Sequence, residues 1–69
     1  MQVLLSILLY LSAIVSPGTY YDIEIDAIAG QNESEINAIQ ADAGLTQQIV
    51  EDYQDDVSMI LIIDWETEK

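Results

Sequence analysis

The sequence contains no cysteine, histidine, arginine or phenylalanine, and its one basic side chain, Lys69, faces 13 Asp and Glu, for a formal net charge of -12 at pH 7. Each absence closes a route. Without cysteine there are no disulfides, thiolate nucleophiles or thiolate metal sites. Without histidine there is no imidazole to serve a nucleophile or a metal, and Ser6, Ser12, Ser16, Ser34 and Ser58 have no evident general-base partner. Without bases, intramolecular ion pairs are almost excluded, so the folded chain must bear its own repulsion at neutral pH. Bare nucleic acid and anionic lipid would be repelled for the same reason, which leaves basic protein surfaces as the complementary partner.

What the chain does have is aliphatic. Hydrophobic residues make up 51% of it, chiefly Ile, Leu, Val and Ala, with four Tyr and one Trp. That fraction suffices for folding despite the charge. Sixty-nine residues make one domain, 1–69, with a small core that association would help to cover.

The apolar run Met1 to Val15 is interrupted only by Gln2, Ser6, Tyr10 and Ser12. A secretory signal would need a basic start and small residues before a cleavage site, and neither is found. A membrane span of about 20 residues is reached only by counting residues 1–19 through Pro17, Gly18 and Thr19, with Tyr20 and Tyr21 at the lipid interface. Alternation instead gives a strand with Val3, Leu5, Ile7, Leu9, Leu11 and Ala13 on one face. The strand is the expected state.

Ser16-Pro17-Gly18-Thr19 is a turn signal, and Tyr20 to Ile28 alternates again, with Tyr21, Ile23, Ile25 and Ala27 opposite Asp22, Glu24 and Asp26. Asn32 and Glu35 have the spacing of a capping box, after which Ile36, Ile39 and Ala43 recur at helical spacing and Gly44 suits a C-terminal cap. Thr46 can cap a further stretch with Ile49, Val50 and Tyr53 as its stripe, leaving Asp55 and Asp56 at an end where the helix dipole disfavours them. Val57 to Trp65 is apolar on both faces in its middle, as in a central strand. The expected fold class is α+β: strand, strand, helix or two short helices, strand, forming a small antiparallel or mixed three-stranded sheet with helix packed on one face.

Asp22-x-Glu24-x-Asp26 begins like a calcium loop and Glu33 fills its twelfth position, but Ala27 stands where glycine is required. Asn32-Glu33-Ser34 matches the N-glycosylation acceptor without other signs of secretion. No metal, cofactor or catalytic set is expected, and the chain is not expected to be an enzyme.

The acidic periodicity says more. On strands, Asp22, Glu24 and Asp26, and again Asp64, Glu66 and Glu68, would form rows spaced by about 6.7 Å. Such a row could follow every second phosphate of a DNA strand, whose rise is about 3.4 Å. With Asp52, Asp55 and Asp56, these residues are the expected partner-binding set. The function expected is a nucleic-acid-mimicking inhibitor that occupies a basic nucleic-acid-binding protein in the host cytoplasm, binds no nucleic acid itself and forms a homodimer. In size and charge alone the chain resembles the small anti-restriction and anti-CRISPR proteins of phages, which implies a phage-encoded inhibitor. The alternatives are a membrane or virion structural subunit anchored by residues 1–19, and a soluble subunit adapted to high salt.

Overall fold

A computed structural model describes residues 2–68. Its elements are α1 (Gln2–Tyr10), β1 (Gly18–Tyr21), α2 (Asp22–Gln31), α3 (Glu33–Gln40), α4 (Ala43–Asp52), α5 (Gln54–Ser58), β2 (Ile60–Ile63) and α6 (Trp65–Glu68). β1 and β2 pair in parallel, from Gly18 beside Ile60 to Tyr21 beside Ile63. A parallel pair requires a long crossover, and α2 to α5 supply it.

The expected three-stranded antiparallel or mixed sheet is therefore not formed; the described residues hold a two-stranded parallel sheet among helices. The first correction is the N-terminal run. Leucine, not branched at Cβ, loses little rotamer freedom in a helix, and α1 is buried at the consecutive positions Leu5, Ser6, Ile7 and Leu8, hence on all sides. The one polar group in that stretch is satisfied, because Ser6 Oγ donates to the Gln2 carbonyl at 2.9 Å. α3, α4 and α5 pack around α1 and internally cover much of the aliphatic surface that motivates a homodimer.

α1 ends in a Schellman turn. Ser12 N–H donates to the Leu9 carbonyl at 3.0 Å and Ala13 N–H to Leu8 at 2.9 Å, while Ser12 adopts φ 61°. The helix thus has nine residues, about 14 Å at 1.5 Å per residue. No described helix is long and apolar enough to cross a membrane, and the span considered over 1–19 is broken by this turn and by entry into β1.

The second correction is residues 22–31. A strand would stack Asp22, Glu24 and Asp26 on one face with no cation between them, whereas a helix rotates Glu24 about 200° from Asp22 and sets both in a first turn that favours negative charge. Ile25, Ile28 and Ala29, at helical spacing, contribute to the core, while Ile23 is 47% exposed.

Further along, Asn32 forms no capping bond and instead turns its amide to the Ile28 carbonyl at 2.8 Å, joining α2 to α3. Gly44 lies in the first turn of α4 rather than at a helix C-terminus, and Asp42 caps that helix by accepting from Leu45 N–H at 3.1 Å. Thr46, inside α4, donates to the Ile39 carbonyl at 2.7 Å and pins α4 to the end of α3. Asp55 and Asp56 open α5, where the dipole favours them, instead of closing the preceding helix.

The core is aliphatic: Leu5, Ile7, Leu8, Ile14, Ile25, Ile36, Ile39 and Ile49. Tyr20, Ile60 and Ile62 pack on it from the sheet. The register and strand alternation then direct Thr19, Tyr21, Leu61 and Ile63 to the outer face, where Leu61 is 58% exposed.

Candidate functional site: the acidic ends of the sheet

The paired strands end together at Tyr21 and Ile63, which brings Asp22 and Asp64 to the same end of the sheet as the chain leaves for α2 and α6. Asp22 Oδ1 accepts from Ile23 N–H at 2.8 Å and from Trp65 N–H at 3.0 Å, tying the two helix starts together across 43 residues of sequence. Asp64 Oδ1 accepts from Glu66 N–H at 3.0 Å, and Glu24 Oε1 accepts from Tyr21 N–H at 3.1 Å. Backbone donors thus hold three carboxylates here in charge-assisted hydrogen bonds, a role that cationic side chains would otherwise fill.

Beside them the Tyr21 and Trp65 rings meet edge to face, 5.2 Å apart at 88°. Asp26, one helical turn beyond Asp22, extends the acidic surface along α2. The structure therefore gathers Asp22, Glu24, Asp26, Asp64 and Glu66 around the carboxyl ends of the strands, although no two of them belong to a strand row. The Glu68 side chain lies outside the described part of the structure.

Asp52, Asp55 and Asp56 form a separate group at the other end. They flank the α4–α5 junction, and the Asp56 carbonyl accepts from Ser16 Oγ at 3.1 Å just ahead of β1. The strands between the two groups span about 10 Å. Neither end gathers three or more described carboxylates tightly enough to hold a metal ion, and no pocket opens among the described residues.

None of the acidic side chains described is buried; most are exposed and Asp22 and Asp56 are half-buried. Chemically, such a surface offers acceptors and long-range negative potential to a partner. Sequence reasoning missed the apolar outer face at Leu61 and Ile63 and the Tyr21–Trp65 contact that borders it. The available signal was Val57 to Trp65 being apolar on both sides: in a sheet of only two strands, that leaves one face bare.

Comparison with protein-family models, with curated proteins and with solved structures finds no match to this chain.

Proposed function

We propose that the protein is an acidic binding module that occupies the basic surface of a nucleic-acid-binding protein and thereby keeps the nucleic acid out. The observation that carries this reading is the exposure of the carboxylates on a body of only 39 × 24 × 16 Å that has no compensating base among its described residues. The negative field reaches past every face of so thin a molecule at low salt, where the Debye length is about 30 Å. Proteins that bind nucleic acid present the matching extended basic surfaces, and complementary potentials speed encounter while disfavouring wrong partners. The mimicry is one of charge rather than of phosphate spacing, because the row expected at Asp22, Glu24 and Asp26 is wound into α2.

Asp26, Glu35, Asp52 and Asp55 are exposed and make no side-chain hydrogen bond among the described residues, so neutralising them breaks none and costs only the modest dipole stabilisation of Glu35 and Asp55 in the first turns of α3 and α5. The combined variant Asp26→Asn, Glu35→Gln, Asp52→Asn and Asp55→Asn is expected to keep its circular-dichroism spectrum. It should bind a captured basic partner with slower association and a shallower dependence on salt. Unchanged affinity and salt slope in the folded variant would reduce the acid to a device for solubility.

A further inference from the structure

We infer that the outer face of the sheet is the centre of the contact, and that it takes a partner segment in which apolar side chains are flanked by lysine or arginine. This rests on the acidic-module reading and adds to it where on the molecule the partner sits and what it must carry besides charge.

The face is apolar at its middle and acidic at its border. Leu61 is 58% exposed and Trp65 37%, with Tyr21 and Ile63 half-buried beside them. None of these four belongs to the core or packs on it, whereas the alternate residues Tyr20, Ile60 and Ile62 do. Asp22, Asp64 and Glu66 lie at the carboxyl end of this strip, and Asp55 and Asp56 lie near its amino end. Charge selects the occupant. A second copy would bring another net charge of -12 against the same border, while a purely apolar segment would leave the border without counter-charge. A segment with an apolar middle and basic ends satisfies both. The aromatic pair supplies large contact area at little cost in side-chain entropy, as buried centres of interfaces do.

Trp65 is the one tryptophan, so its emission reports on this face alone. The test uses two short synthetic peptides of equal length and charge, one with Leu at its middle and Lys at both ends (Lys–Leu) and the other with Ser in place of Leu (Lys–Ser), titrated into the full chain and into Leu61→Ser. The Lys–Leu peptide is expected to shift Trp65 emission to the blue and to bind about tenfold more tightly than Lys–Ser, the gain of burying about one leucine. Leu61→Ser changes an exposed position outside the core and should remain folded; it should lose most of that advantage without altering Lys–Ser binding. Equal affinities, or a Lys–Leu advantage that survives Leu61→Ser, would overturn this inference and leave the acidic-module reading standing. Failure of both peptides to bind at low salt would overturn the two together. Light scattering that shows a dimer abolished by Leu61→Ser would make the face a contact between copies and overturn the inference as well.

Discussion

Ser12 ends the central helix in a conformation that serine tolerates poorly. Its φ of 61° lies in the left-handed region, where a Cβ is crowded by the following carbonyl at a cost of roughly 1–2 kcal/mol. The turn is retained because it satisfies carbonyls at the end of α1 and brings Ala13 back against the core. Ser12→Gly is therefore expected to raise stability by roughly 0.5–1 kcal/mol, and Ser12→Val, β-branched at the same angle, to lower it. Urea denaturation should rank Gly above Ser above Val; a glycine variant no more stable than the native chain would contradict the turn. This helix end was illegible in the sequence because the usual sign, a glycine, is missing. Asp42 escaped notice for a different reason: Gly44 and Thr46 offered more familiar boundary signals close by, but the capping carboxylate precedes both. Gly18 is required for close approach rather than for a turn: it opens β1 without a positive φ, and a Cβ there would stand 3.1 Å from both the Tyr20 ring and the Val15 carbonyl. Tyr20 cannot readily yield, as its hydroxyl accepts from Val15 N–H at 3.0 Å.

At the scale of the element, α2 decides between two readings of one stretch. As a strand, Ile23 and Ile25 would point the same way; as a helix, they are about 200° apart, with Ile25 fully buried and Ile23 47% exposed. Ile25→Ala should cost about 2–5 kcal/mol, whereas Ile23→Ala should cost under about 0.5 kcal/mol. Similar losses at the two positions would restore the strand. Strict alternation from Tyr21 to Ala27 hid the helix because Ile25 also belongs to the helical series with Ile28 and Ala29, and short runs satisfy both periods. The first run hid its state differently: when a segment is buried all round, neither period shows, and leucine content was the better guide. Where one face alone is buried, the pattern was legible, as with Ile36 and Ile39 of α3, and the apolar centre of Val57 to Trp65 does hold β2. The acid surface was legible in composition and exposure, but not in arrangement, because the expected rows depended on strands that are helices at 22–31 and 65–68.

Across the whole molecule, the charge is a standing cost that salt should relieve. The described residues contain no base, and the thinnest dimension, 16 Å, falls within the Debye length of about 30 Å at 0.01 M but exceeds the one of about 8 Å at 0.15 M. Thermal unfolding followed over that range should show Tm rising with sodium chloride, by about 4–8 °C for each kcal/mol of repulsion removed. A flat or falling Tm would mean that the carboxylates are compensated in some other way. The same surplus of acid supports exclusion of a polyanion from a basic groove, and the most direct measurement is competition between this chain and nucleic acid for one partner. The partner is captured on the immobilised protein at fixed ionic strength, and duplex DNA or structured RNA is then added against an uncharged polymer as control. Mutually exclusive binding is expected: nucleic acid should release the partner in proportion to its own affinity, with no ternary complex in sedimentation. A stable complex of chain, partner and nucleic acid together would contradict occupation of the groove.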